Sequence, residues 1–205
     1  ESNGNFIPNG NYAVRIGCDP FKYDKTKDNR RSNCVAYAYQ MEEGLDKGSE
    51  YSEMFVMRYA DRPPTTDIQY DHILKMAWFC GCQVLFERNV DGWKKYFQVE
   101  RCAGFYMWLP KEVEPGIYSD GKGNTVQMIC DFTESYINKS CKKVYFPELL
   151  GLKSGWLGFA VEDTQKSDDA MASGFAMIAA KAKKYALPQS IYKGVETIMP
   201  MFKAS

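Results

Sequence analysis

Three acidic positions offer this chain its clearest chemistry: Asp19, Glu87, and the adjacent pair Asp168 and Asp169. Carboxylates are hard oxygen donors suited to magnesium, and two such ions about 3.5 to 4 Å apart stabilise both the attacking and the leaving oxygen of a phosphoryl transfer. Three or four carboxylates suffice to hold the ions. Without cations their like charges repel and raise one another's pKa values. Histidine is not required, and the one histidine, His72, sits inside a helical pattern where a surface or packing role is expected. Any Ser-His-Asp or Cys-His site would have to be built around it. Cys80 and Cys82 lie close together, but no Cys-x-x-Cys pair occurs, so structural thiols are expected rather than zinc. Singly, each acidic position also has a plain structural reading. Asp19-Pro20 is a turn dipeptide, Glu87 marks a strand end, and Asp168 and Asp169 suit a helix N-terminus. Their combination, in this order on a strand-rich scaffold, points to a metal site.

The elements that must position these residues follow from periodicity and breakers. YAVRIGCD (residues 12–19) is dense in strand formers and stops at Asp-Pro, delivering Asp19 to a strand end. NCVAYAYQ (33–40) and SEMFVMRYA (52–60) read as two further strands of a meander. Thr65 or Thr66 can cap a helix running to about residue 79, with Ile68, Ile73, Met76, Ala77 and Cys80 near one face and Gly81 ending it. CQVLFERN (82–89) reads as a buried strand ending in Glu87, followed by a helix over about 91–101. A helix is also expected around 126–139. The stretch 167–185 places Ala170, Met171, Gly174, Phe175, Ile178 and Ala182 at helical spacing, with Pro188 beyond its end. Strands, helix, strand, helix predict an α/β fold: a mixed sheet flanked by helices, its fourth strand parallel to the first through a right-handed crossover. Ligands of such sheets gather beyond the carboxyl ends of parallel strands, where Asp19 and Glu87 are expected. Residues 102–153 carry no legible chemistry.

A length of 205 residues suits one domain. The polar, Asn- and Gly-rich residues 1–11 read as a linker remnant, leaving 12–205 as the domain. Lys plus Arg equals Asp plus Glu at 26 each, so any nucleic-acid site must come from local charge separation. No apolar run approaches bilayer length and no signal-peptide pattern opens the chain. With seven cysteines in no framework spacing, a reducing cytoplasm is expected.

GCDP (17–20), FERN (86–89) and SDDAMASGFAMIAA (167–180) resemble the nuclease-domain motifs of tailed-phage terminase large subunits, with crAss-like phages as the nearest subgroup. The resemblance spans nearly the whole chain and implies a ribonuclease H-like fold. It also implies an endonuclease that cuts concatemeric viral DNA during genome packaging, in the cytoplasm of the infected host, using two Mg2+ or Mn2+ ions. Carried over residue by residue, Asp19 would bridge the metals, Glu87 would hold one, and Asp168 or Asp169 would complete the site. Neighbouring helix residues project about 100° apart, so one of that pair is expected to ligate while the other caps the helix or positions Lys166. The implied partners are double-stranded DNA, the terminase ATPase domain, the portal and the small terminase subunit. No GxxxxGK[ST] phosphate loop occurs, so this chain alone is not expected to translocate DNA.

Arg88 and Lys166, beside the acidic residues, and Arg30 and Arg31, in the turn after the first strand, are the leading candidates for DNA-backbone contacts. Asp24 and Asp28 rank below the main acidic positions. Two rival readings remain open. One is a structure-selective nuclease of the same fold, acting on junctions or RNA–DNA hybrids. The other is a docking module of a packaging motor, binding no metal at Asp19 and Glu87.

Overall fold

Alternation of side chains along three neighbouring strands organises the molecule. In the computed structural model, which describes residues 4–8, 13–22, 32–42, 49, 52–90, 92–110, 112–119, 124–139, 155–159 and 167–182, these are β1 (Val14–Asp19), β2 (Cys34–Gln40) and β3 (Met54–Asp61). They form the expected antiparallel meander. After helix α1 (Thr66–Cys80), the short strand β4 (Val84–Phe86) pairs in parallel with β1. The sheet order is β3-β2-β1-β4. Tyr106 and Ile117 continue it beyond β4 through parallel bridges to Val84 and Glu87.

β1 and β2 lie inside the sheet, so both of their faces are apolar. Ile16, Cys18, Cys34, Ala36, Ala38, Val84 and Phe86 pack with Tyr70, Ile73 and Ala77 of α1 and with Trp93 and Phe97 of helix α2 (Gly92–Val99). Phe86 stacks on Trp93 at 4.6 Å between centroids. On the opposite face, Val35, Tyr37 and Tyr39 pack on Ala172 and Ala176, and Leu85 packs with Met171 and Phe175. These last partners belong to α4 (Asp168–Lys181), which α3 (Asn124–Lys139) supports through Ile129. The result is a mixed sheet with helices on both faces.

Several expected boundaries shift for identifiable reasons. Only three of the eight residues expected in the fourth strand form β4. Ile68 is 38% exposed rather than core-facing. At about 100° per residue it lies about 140° from Ile73, and the buried stripe runs instead through Tyr70, Ile73, Leu74 and Ala77. Gly81 ends α1 as expected, adopting φ 62° so that its N–H reaches the carbonyls of Ala77 and Trp78. In β3 the register steps from Ala38↔Met57 to Tyr39↔Phe55. This bulge leaves Val56 unmatched and lets Phe55 and Met57 face opposite cores. Within the stretch read as a linker remnant, Phe6 is docked: its N–H donates to the Arg101 carbonyl at 2.6 Å and its ring meets Trp78 edge-on. The continuation of α4's pattern to residue 185, and Pro188, lie outside the described residues.

Candidate functional site

The β1–β4 pairing sets the site. Cys18 lies opposite Phe86, and the Glu87 N–H donates to the Cys18 carbonyl at 3.1 Å, so Asp19 and Glu87 emerge together at the carboxyl ends of two parallel strands. Side chains alternate across a strand, which puts Asp19 on the face of Gly17, and Glu87 on the face of Leu85. That is the face covered by α4.

Gly17 determines how closely α4 approaches. A Cβ there would sit 2.1 Å from the Ala176 nitrogen and 2.4 Å from the Ala172 oxygen, so helix backbone rests on strand backbone. The small residues of α4 make this approach possible, and its first turn lands beside the end of β1. There Asp168 Oδ2 accepts the backbone N–H of Asn33 at 2.9 Å. Burial, followed by the charges of Glu87 and Asp168, pushes Asp19 well above the usual carboxylate range. Burial likewise raises Asp168, and the charges of Asp169 and Glu87 add to the shift against the lowering effect of the Asn33 N–H. Carboxylates contributed by β1, the residue after β4 and the start of α4 therefore feel one another.

Asp169 turns elsewhere. It accepts the Tyr37 hydroxyl at 2.5 Å and Arg58 Nε and Nη2 at 2.8 and 3.2 Å. Tyr37 and Arg58 are cross-strand partners on β2 and β3, and Arg58 Nε also donates to the Tyr37 hydroxyl at 2.8 Å. Burial and the neighbouring Asp169 keep the Tyr37 phenol protonated. The pair Asp168 and Asp169 thus divides its work: Asp168 faces the acidic group, and Asp169 ties α4 to the sheet. Sequence reading missed Tyr37 and Arg58, which are embedded in ordinary strand patterns.

Glu87 is also oriented. Asn89 Nδ2 donates to Glu87 Oε1 at 3.2 Å and to Ser119 Oγ at 3.3 Å, and the Ser119 hydroxyl donates to the same carboxylate oxygen. Ser119, also missed, opens the stretch SDGKGN, whose composition signals only a turn. Arg88, expected at the DNA, is instead used inside the protein. Its side chain is 6% exposed, and it donates to the carbonyls of Pro115, Glu114 and Gly116 and to Glu112. A buried guanidinium with this many acceptors organises residues 112–116. Arg30, Arg31, Lys166, Asp24 and Asp28 lie outside the described residues. His72 meets the Tyr59 hydroxyl at 3.0 Å, in the packing role expected of it.

Among the described residues no three His, Cys, Asp or Glu side chains gather tightly enough to form a ready-made metal cage. The arrangement is a buried carboxyl group, Asp19, raised by its burial and by the charges of Glu87 and Asp168. Chemically, such a group binds either a proton or a hard cation, since buried like charges need one or the other. No protein-family model, curated protein or solved structure matches the chain.

Proposed function

We propose that the chain is a cation-dependent DNA endonuclease domain of the ribonuclease H-like type, cutting concatemeric viral DNA during genome packaging. The observation that carries the reading is the emergence of Asp19 and Glu87 side by side at the carboxyl ends of β1 and β4, with the start of α4, which carries Asp168, packed beside them. A mixed sheet with helices on both faces is compatible with that fold type. The motif resemblance supplies the packaging role.

The donor set fits Mg2+ or Mn2+. It consists of carboxylate oxygens, and no cysteine sulfur or histidine nitrogen takes part. Asp19, Glu87 and Asp168 would hold the ions, a cation offsetting the repulsion among their charges. Bound ions of this kind lower the pKa of an attacking water and stabilise the leaving oxygen of a phosphodiester. Asn89 and Ser119 fix the carboxylate of Glu87, and Tyr37 and Arg58 fix the helix that carries Asp168. Arg30, Arg31 and Lys166 remain the proposed backbone contacts, so little sequence preference is expected. The terminase ATPase domain, portal and small subunit are the proposed partners, and the host cytoplasm the proposed location. No helix among the described residues is long and apolar enough to cross a membrane.

One observation favours a second reading: the lack of a closed three-donor cage suits a docking module that binds no metal. Supercoiled plasmid, a four-way junction and an RNA–DNA hybrid, each incubated with EDTA, Mg2+ or Mn2+, separate the alternatives. Nicking and linearisation of plasmid with either cation, and none in EDTA, is the expected result. Strong preference for the junction or hybrid would replace viral concatemers with a structured substrate. Inertness toward all three, with no cation bound, would leave the docking module.

A further inference from the structure

The backbone that carries Asp19 is held by a side chain from the opposite layer. Gln69, near the start of α1, is fully buried. Its Oε1 accepts the Phe21 N–H at 3.1 Å and its Nε2 donates to the Phe21 carbonyl at 2.9 Å. A carboxamide carries an acceptor oxygen and a donor nitrogen on one planar group, so it can satisfy a backbone donor and acceptor together. Only Pro20, with its fixed φ, separates Phe21 from Asp19. The Phe21 ring is buried and carries the Arg62 guanidinium 4.4 Å from its centroid.

Helix capping does not account for Gln69. In a capping box the glutamine stands three residues after the cap residue, whereas Gln69 stands four after Thr65. Thr65 makes no side-chain cap hydrogen bond, and the carboxamide reaches across to Phe21 instead. Asp19, meanwhile, stands among carboxylates that repel it. A chain free to move would relieve that repulsion by carrying Asp19 outward.

We propose that Gln69 is a positioning residue for the cation site: by clamping both main-chain polar groups of Phe21, it holds the Asp19 carboxylate against Glu87 and Asp168. This inference rests on the cation-site reading and adds to it a residue that touches neither ion nor substrate.

Mn2+ titration calorimetry and thermal melting of the full chain test it. Gln69→Met keeps the volume and removes both hydrogen bonds; Gln69→Asn keeps the carboxamide but shortens its reach. Ile73→Val, in the same helix and equally buried, controls for loss of stability alone. Removing a partner hydrogen-bonded to a metal ligand weakens metal binding by about 10- to 100-fold, and Gln69, which acts one step further out, is expected at the low end of that range. That loss is expected for both Gln69 variants, with Ile73→Val binding Mn2+ as the parent does. Parent-like affinity in a folded Gln69 variant would overturn the inference, as would an equal loss in Ile73→Val. A parent that binds no Mn2+ would overturn the cation-site reading itself.

Discussion

Asp168 and Asp169 are neighbours with opposite duties, and the difference is measurable. Asp169 closes an ion pair with Arg58 and accepts the Tyr37 hydroxyl, all partly shielded from water. Asp169→Asn is therefore expected to lower unfolding stability by about 1.5 to 3 kcal/mol, the range for hydrogen bonds to charged groups, as read by urea denaturation. Asp168→Asn keeps an oxygen for the Asn33 N–H and removes a repelling charge, so its metal-free stability should equal or exceed the parent's. The sequence marked both residues but could not divide them, because the deciding partners, Tyr37 and Arg58, lie more than a hundred residues away in the chain. Arg88 misled for a related reason: adjacency to Glu87 suggested a phosphate contact, while the acceptors it serves sit in residues 112–116.

The same carboxyl groups set a pH dependence. Asp19 and Asp168 have folded-state pKa values raised above the unfolded value of about 3.9. The folded state thus binds their protons more tightly, and this contribution to stability is fully present below the unfolded pKa and is lost as pH rises through the raised values. In EDTA, the melting temperature of the parent relative to Asp19→Asn should fall as pH is raised from the acid range toward neutrality. Mg2+ should restore more at pH 7.5 than at pH 5.5. A difference between the two proteins that stays flat with pH would count against an Asp19 buried beside other carboxylates.

At the scale of elements, the site depends on how closely α4 lies on β1. Gly17→Ala would drive a Cβ into helix backbone, whereas the nearest obstacle to Gly174→Ala is the Ile129 side chain. Overpacking costs about 1 to 3 kcal/mol and sometimes more. Gly17→Ala should fall at or above the top of that range and exceed Gly174→Ala in urea unfolding, because backbone yields less than a side chain. Helix α4 was legible from the spacing of its apolar residues, but nothing local showed that Gly17 was its seat. The buried face of α1 was partly misread at Ile68, since periodicity locates a stripe more readily than its centre. The bulge at Val56 has no local signature, arising from the needs of two cores at once.

Across the whole molecule, the order of strands and helices was readable because apolar runs alternate with turn residues, and the parallel pairing of β4 with β1 follows from a helix lying between them. The convergence of Asp19, Glu87 and Asp168 was readable only as far as strand ends and a helix start can be placed by such patterns. The orienting contacts from Gln69, Ser119, Tyr37 and Arg58 depend on tertiary packing. Net charge offered no guide to DNA, since positive and negative residues balance.

The most direct test of the central claim is cleavage of supercoiled plasmid in Mg2+ by the parent, Asp19→Asn, Asp168→Asn and Asp169→Asn, with EDTA as the blank. The parent should nick and linearise the plasmid, Asp19→Asn and Asp168→Asn should lose at least about 100-fold in rate, of the order seen when a group stabilising the transition state is removed, and Asp169→Asn should lose activity only in step with its folded fraction. Cleavage by Asp19→Asn at the parental rate, or by the parent in EDTA, would contradict a cation-dependent site built on Asp19, Glu87 and Asp168.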